Sequence, residues 1–151
     1  MSTTSQYALR ALSQLSRERK GATVLGRNLA EASGIPANYL SKLLWQLRNA
    51  GIVSATRGAN GGYRLERSAD QVRLIDVVEV FDRVRTQPPC LVGRGETCCE
   101  RRPCSVHQAW KAVRDAYIDF LEATTVADLS GTDTRRRRRL MPTASSEGAQ
   151  S

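Results

Sequence analysis

The sequence predicts a mainly α-helical fold with a small β-hairpin: a winged helix-turn-helix followed by a long C-terminal dimerisation helix. Three observations support this fold class. Apolar residues recur at helical spacing in three segments before residue 51. A glycine-rich turn then separates two short segments with β-strand character. A later stripe of apolar residues follows heptad spacing.

The first three helices are predicted from apolar periodicity and from the residues that end them. Residues 5–20 form the first helix and residues 24–32 a short second one. Gly34 allows a tight turn, and Pro36 suits the first turn of a third helix because its missing N–H is not needed there. The third helix runs to about residue 50, with Gly51 as its C-terminal stop. Its apolar positions are Leu40, Leu43, Leu44 and Leu47.

The hairpin is predicted from residue types on either side of a glycine-rich turn. Residues 52–56 are rich in β-branched side chains, which favour a strand, and residues 63–65 alternate as a second strand. The intervening residues 57–62 contain three glycines, typical of a hairpin turn. Helical spacing returns over residues 74–84.

The chain is expected to divide into four parts. Residues 1–85 form the winged helix-turn-helix domain, and residues 86–107 form a cysteine-rich cofactor loop. Residues 105–130 form the dimerisation helix, whose helical pattern is clearest over 105–123. Residues 131–151 form a disordered basic tail. Five consecutive arginines in this tail, 135–139, suit nonspecific phosphate contacts, although a solvated tail without a specific role is the alternative.

Positive charge is concentrated in the first part of the chain. Residues 1–89 carry 13 Lys/Arg against 7 Asp/Glu, whereas residues 90–132 carry 5 against 6. A basic domain joined to a neutral segment suggests a polyanionic partner, usually nucleic acid, with an ordinary basic surface as the alternative. No apolar run approaches the roughly 18 residues of a membrane span, and no signal pattern is present, so we expect a cytoplasmic protein without a membrane partner.

The order helix, helix, turn, helix, hairpin places polar side chains where double-stranded DNA would lie. Asn38 and Ser41 on the third helix are short enough to reach base edges in a major groove, and Lys42 suits a phosphate. Arg57 stands at the wing tip, where the negative potential of a narrow minor groove attracts arginine. The alternative is a three-helix core with a plain glycine-rich turn. The predicted DNA-contacting residues are Asn38, Ser41, Lys42, Gln46, Arg57, Asn60 and Arg64.

Several segments resemble the IscR/NsrR/RirA group of bacterial regulators in the BadM/Rrf family. The wing is the most specific, and the similarity covers about residues 4–130. The resemblance implies a homodimeric transcriptional repressor or activator with a cluster site in the loop before the dimerisation helix. It is carried by Tyr7-Ala8-Leu9-Arg10, Gly34-Ile35-Pro36, Asn38-Tyr39-Leu40-Ser41-Lys42, Leu47-Arg48-Asn49-Ala50-Gly51, Arg57-Gly58-Ala59-Asn60-Gly61-Gly62-Tyr63-Arg64-Leu65 and Ile75-Asp76-Val77-Val78.

All four cysteines, Cys90, Cys98, Cys99 and Cys104, lie in one loop, just before the only histidine, His107. In a reducing compartment such a cluster more often binds metal or senses redox state than packs in a core. Thiolates are the soft ligands of iron–sulfur clusters, and a histidine can replace one of them. The same ligands suit zinc, and the adjacent cysteines suit a thiol–disulfide switch. A surface position for the histidine is a further alternative.

The resemblance favours an iron–sulfur cluster held by Cys90, Cys98, Cys104 and His107. The family commonly places five residues between its second and third cysteines, which selects Cys98 and leaves Cys99 as a substitute ligand. The spacing after Cys90 is similar to the RirA branch. The histidine is similar to IscR, whose [2Fe–2S] cluster has three cysteines and a histidine. We therefore expect [2Fe–2S], with [4Fe–4S] or zinc as alternatives.

The last predicted helix carries an apolar stripe with steps of four, three, four and three residues. Such a stripe is too apolar for a solvated helix, and pairing two copies of the chain would bury it around a two-fold axis. Packing within one chain is the alternative. With one histidine and no glycine-rich phosphate loop after a strand, neither an enzyme nor a small-molecule substrate is expected. The stripe consists of Val106, Trp110, Val113, Tyr117 and Phe120.

Overall fold

The computed structural model describes residues 1–58, 61–86, 91 and 105–131, and in them the chain is mostly helical with one two-stranded antiparallel hairpin. The predicted fold class is confirmed. A 3-10 turn at Ala69–Gln71 precedes the fourth helix. The elements are α1 (Thr3–Leu15), α2 (Gly26–Ser33), α3 (Ala37–Asn49), β1 (Val53–Thr56), β2 (Gly62–Leu65), α4 (Leu74–Asp82), α5 (His107–Ala123) and α6 (Val126–Ser130).

One aliphatic core joins the helices to the base of the hairpin. Every helix except α6 contributes a large side chain that is almost wholly buried, and Val126 of α6 is buried as well. Burying each such side chain stabilises the fold by about 1.5–3 kcal/mol. The α3 helix and the hairpin therefore keep a fixed position relative to α1 and α4. The largest of these side chains are Leu12, Leu29, Leu40, Leu47, Ile52, Ile75 and Leu121.

The first two helices are shorter than predicted. The α1 helix ends at Leu15 rather than residue 20, because residues 16–20 have no apolar side chain to bury and tighten into turns. The α2 helix begins at Gly26 rather than residue 24. Val24 instead forms reciprocal backbone hydrogen bonds with Tyr63 of β2, at 2.9 and 2.8 Å, and so acts as a third strand position beside the hairpin.

The predicted single helix over residues 105–130 is wrong. The α5 helix begins at His107 and ends at Ala123, and Thr124 is extended. The Thr124 carbonyl accepts from Leu74 N–H at 2.9 Å. The next helix begins at Val126, whose N–H donates to the Val72 carbonyl at 2.9 Å. A capping box between Thr125 and Asp128 then starts α6, which returns the chain to α1. Pairing with the strand-like segment before α4 therefore outcompetes continuation of the helix.

Candidate nucleic-acid interface and cysteine-rich loop

The turn between α2 and α3 has the geometry of a helix-turn-helix. Gly34 adopts a left-handed conformation, with φ of 64°, which glycine reaches without a steric penalty. Its N–H donates to Glu31, and Ile35 N–H donates to Ala30 at 3.0 Å. Pro36 lies one residue before α3 rather than inside it, and its carbonyl accepts from Leu40 N–H at 2.9 Å. The turn therefore ends α2 at Ser33 and leads into α3 at Ala37.

Two tyrosines fix α3 against α1. The Tyr39 ring meets Tyr7 edge-on, with centroids 5.7 Å apart, and its hydroxyl lies 2.7 Å from Thr4 Oγ1. Arg10 lies over the Tyr7 ring at 5.3 Å and donates to the Ser33 carbonyl at 3.4 Å. The first helix therefore contacts both helices of the helix-turn-helix, α2 at Ser33 and α3 at Tyr39.

The outward face of α3 carries the predicted base-contacting residues. Asn38, Ser41 and Lys42 are exposed, and Gln46 is half-buried. The Ser41 hydroxyl donates to the Ala37 carbonyl at 2.9 Å, which leaves its lone pairs free to accept from a base amino group. The opposite face packs into the core through its leucines. The structure thus places these four side chains together on one accessible surface.

The wing presents two arginines. Arg57 is exposed directly after β1, and Arg64 of β2 is exposed with its Nε donating to Ser54 Oγ at 3.1 Å. A Cβ on Gly62 would lie 2.5 Å from the Val24 carbonyl oxygen, so only glycine lets the wing approach the segment before α2. The predicted contact Asn60 lies outside the described residues.

Charge favours a polyanion on this surface. Residues 34–65 contain Lys42, Arg48, Arg57 and Arg64 but no aspartate or glutamate. These four side chains form no ion pair with any carboxylate that the structure describes. The described ion pairs, such as that between Arg85 and Glu122, involve α4 and α5. Because no carboxylate in the described part of the chain pairs with them, these four cations can contact phosphates.

The cysteines Cys90, Cys98, Cys99 and Cys104 lie outside the described residues, whereas His107 is described. His107 is the first residue of α5 and only 4% exposed, so the alternative of a solvated surface histidine is wrong. Within residues 1–58, 61–86 and 105–131, no three histidine, cysteine, aspartate or glutamate side chains cluster closely enough to hold a metal ion.

Both ends of the cysteine-rich loop are attached to α5. Arg114 donates to the carbonyls of Val84 and Arg85, at 3.2 and 3.3 Å, and Arg85 also pairs with Glu122. The chain that leaves α4 is thereby hydrogen-bonded to α5 before the loop begins, and the loop ends where α5 begins, at His107.

Asp82, the last residue of α4, connects this region to α1. Its carboxylate accepts from the Ser2 N–H at 2.7 Å and from the Ser2 hydroxyl, and Ser2 caps α1. Burial raises the pKa of Asp82, but the hydrogen bonds from Ser2 outweigh burial and lower it below the ordinary value of 3.8. Burial also raises the pKa of Tyr117 on α5. The contact between Ser2 and Asp82 is absent from the sequence prediction because no local pattern links residues 80 positions apart.

The predicted apolar stripe of α5 divides between two environments. Val106, Val113 and Phe120 are exposed, Val113 to 60%, whereas Trp110 and Tyr117 are partly buried. Tyr117 packs against the chain's own core, and its hydroxyl oxygen is buried with no hydrogen-bond partner among the described residues. The alternative of packing within one chain therefore applies to Tyr117 but not to the exposed Val113 and Phe120. The exposed members still form an apolar edge along α5.

Comparisons with known proteins agree on one family. The family model described as "Rrf2: Iron-dependent Transcriptional regulator" matches residues 1–132. An HTH-type transcriptional regulator of Mycobacterium tuberculosis is 33% identical over 135 residues, covering 87% of this chain and 81% of that protein. The transcriptional regulator IscR of Pectobacterium atrosepticum is 31% identical, covering 87% and 86%.

A solved structure is similar over nearly its whole length. The structure of CymR, the global cysteine regulator of B. subtilis, superposes with a TM-score of 0.74 at 27% identity, covering 88% of this chain and 97% of that chain. Among the residues described for this chain, no helix is both long and apolar enough to cross a membrane.

Proposed function

The chain belongs to the Rrf2 family of iron-dependent transcriptional regulators, and we propose that an iron–sulfur cluster in the cysteine-rich loop controls its binding to DNA. It is a DNA-binding transcriptional regulator, as its relatives are, and not an enzyme. The cluster, its ligands and the way the signal reaches the DNA are the parts proposed here.

In the proposed complex, α3 enters the major groove and the wing enters the minor groove. Asn38, Ser41 and Gln46 contact base edges, and Lys42 contacts a phosphate. Arg57 enters the minor groove, with Asn60 and Arg64 beside it. The accessible, carboxylate-free surface over residues 34–65 supports this arrangement, because each phosphate contact releases a condensed counterion.

The proposed cluster is held by Cys90, Cys98, Cys104 and His107, with Cys99 as a substitute ligand. A [2Fe–2S] cluster is favoured, and [4Fe–4S] is the alternative. The observation that carries this proposal is the buried position of His107 at the point where the loop joins α5. An imidazole nitrogen can replace one thiolate ligand of an iron–sulfur cluster, and His107 follows Cys104 by three residues in the sequence. When bound, the cluster supplies a reversible, redox-sensitive crosslink between the loop and α5.

The proposed functional unit is a homodimer paired through α5. Val106, Val113 and Phe120 supply the exposed apolar edge, flanked by Trp110 and Tyr117. A two-fold pair presents two α3 helices to two half-sites, so the spacing of the heads follows the position of α5. Arg114 binds the chain that enters the loop to α5, and the loop leads into α5 at His107, so assembly or loss of the cluster would alter that spacing.

Anaerobic purification tests the cofactor. The wild-type protein should be brown or red, absorb visible light, and contain iron and acid-labile sulfide. Cys98→Ala should lose this chromophore, whereas the matched Cys99→Ala variant should keep most of it. Bleaching by Cys99→Ala alone would show that the ligand register is shifted by one residue.

The same preparation distinguishes the cluster from its two alternatives, a zinc site and a thiol–disulfide switch without metal. A colourless protein containing zinc would support a zinc-stabilised regulator. A colourless, metal-free protein whose thiols oxidise reversibly would support a thiol–disulfide switch. The similarity to CymR, a cysteine regulator by name, and the adjacent pair Cys98 and Cys99 favour that second candidate over zinc.

A further inference from the structure

Trp45 is the most exposed large apolar side chain that the structure describes. It is 64% exposed, compared with 60% for Val113 and 48% for Phe120 on the proposed dimer edge. A tryptophan buries 150–250 Å² in typical contacts, so exposing most of its surface to water is unfavourable. The predicted set of DNA-contacting residues does not include it.

Helix geometry places Trp45 in the middle of the outward face of α3. At about 100° per residue, Trp45 projects within about 20° of Asn38 and about 60° of Lys42. It lies about 160° from Leu47, which is fully buried. Trp45 is therefore aligned with the residues expected to contact DNA and points away from the chain's own core.

The position along the helix also fits a groove contact. Trp45 lies seven residues after Asn38, which corresponds to about 10.5 Å along the helix axis. Because successive base pairs are separated by about 3.4 Å, the two side chains would meet bases about three steps apart. One helix can therefore use both side chains on the same half-site.

The charges around Trp45 indicate that its partner is DNA rather than a protein surface. Lys42 and Arg48 flank it on α3, and no carboxylate occurs between residues 34 and 65. A neutral apolar protein surface would leave these cations desolvated and unpaired, whereas DNA supplies phosphates for them. In the major groove the thymine methyl is the one apolar group on a base edge, and it suits an indole ring.

We propose that Trp45 contacts thymine methyl groups in the major groove and thereby selects thymine about three base pairs from the Asn38 contact. This inference rests on the proposed placement of α3 in DNA. Nothing in it depends on the cluster. Trp45 is a specificity-determining residue whose indole face buries against the methyl group, while its neighbours Lys42 and Arg48 contact the backbone.

The experiment uses the full-length protein and a duplex obtained by in vitro selection. Each thymine of the selected duplex is replaced in turn by deoxyuridine, which removes only the methyl group. For the wild-type protein, one replacement per half-site should weaken binding about three- to fivefold, as expected for one buried methyl-sized group. Trp45→Ala should bind the thymine duplex about tenfold more weakly and show no further loss at that replacement.

Two further variants keep the test specific. Trp45→Phe should restore part of the affinity and of the deoxyuridine effect, because phenylalanine retains an aromatic face. Leu129→Ala, which truncates another exposed apolar side chain on α6, should leave both unchanged. Circular dichroism and sedimentation of each variant should match the wild type, since Trp45 is outside the core.

Fluorescence gives an independent readout. Trp45 and Trp110 are the two tryptophans of the chain, so Trp110→Phe leaves Trp45 as the sole tryptophan, whose emission is excited selectively at wavelengths that tyrosine does not absorb. Adding the selected duplex should blue-shift that emission and reduce quenching by acrylamide.

The outcomes distinguish this inference from the proposed function. Specific binding with no effect of any deoxyuridine, or with unchanged affinity in Trp45→Ala, would overturn the inference alone. A change of oligomeric state in Trp45→Ala would also overturn it, because Trp45 would then face a protein. Failure of the wild-type protein to select any sequence would overturn the proposed function and the inference together.

Discussion

Replacing Gly62 with alanine tests how the wing is held beside the helix-turn-helix. The new Cβ would lie 2.5 Å from the Val24 carbonyl oxygen, whereas ordinary contacts begin at 3.4 Å. The two segments must therefore separate by about 0.9 Å. That movement would stretch the reciprocal hydrogen bonds between Val24 and Tyr63, now 2.9 and 2.8 Å, beyond the usual limit of about 3.2 Å.

The expected cost follows from these changes. Losing two backbone hydrogen bonds costs about 1 kcal/mol each, and a side chain at φ of 153° adds about 1 kcal/mol of strain. Gly62→Ala should therefore lower the free energy of unfolding by about 2–4 kcal/mol in urea titrations. Because the wing carries Arg57, affinity for DNA should fall in the same variant.

A matched control separates strain from collision. Gly21 also has a positive φ, 85°, but a Cβ there would meet no atom within 4 Å. Gly21→Ala should cost only about 1 kcal/mol. If Gly62→Ala destabilised the protein no more than Gly21→Ala does, the close approach of the wing to Val24 would be refuted.

Three other substitutions test the remaining contacts. Asp82→Asn should lower the free energy of unfolding by at most about 1 kcal/mol at pH 7, because it weakens the hydrogen bonds that the charged carboxylate accepts from Ser2. The pKa of Asp82 is depressed, so its stabilisation is present above the ordinary value of 3.8 and is lost as the pH falls through the lower pKa of the folded protein. The difference in stability between the variant and the wild type should shrink over the same range. Val113→Glu should give monomers in sedimentation experiments, because it buries a charge in the proposed α5 pair. Lys42→Ala should weaken binding to specific and scrambled duplexes alike and make the salt dependence shallower by about one unit of slope.

Each of these has a control and a contradicting result. Ser2→Ala should reproduce part of the loss of unfolding free energy seen in Asp82→Asn. If the pH dependence of stability were unchanged in both variants, the contact between Ser2 and Asp82 would not stabilise the protein. Lys111→Glu on an exposed position of α5 should leave the dimer intact. A folded dimer of Val113→Glu would exclude the α5 edge as the interface. A change of base preference in Lys42→Ala would mean that a different face of α3 enters the groove.

Local signals in the sequence predicted the helices and the hairpin of the winged helix-turn-helix fold. Glycine at positions 34 and 51 marks helix ends because both adopt left-handed conformations, and the leucines of α3 reveal its buried face. The exposed residues Asn38, Ser41 and Lys42 followed from the same periodicity. These features depend on neighbours within one or two turns, which is the range that a sequence pattern covers.

The errors arose where distant segments pair. The sequence pattern predicts Val24 in the second helix, but Val24 forms backbone hydrogen bonds with Tyr63 instead. The α5 helix ends because the Thr124 carbonyl accepts a hydrogen bond from Leu74 N–H. The contact between Ser2 and Asp82 is equally invisible to local periodicity. The burial of His107 also depends on how α5 packs, so the sequence left a surface position open. Tertiary hydrogen bonds override local propensity at each of these points.

The most direct test of cluster-gated binding is the DNA affinity of one anaerobic preparation before and after its cluster is removed. The cluster-containing protein should hold iron and sulfide. Its affinity for the selected duplex should differ at least tenfold from that of the cluster-free protein, while both forms remain folded dimers. Equal affinity of the two forms, with iron and sulfide confirmed in the first, would contradict control of DNA binding by the cluster.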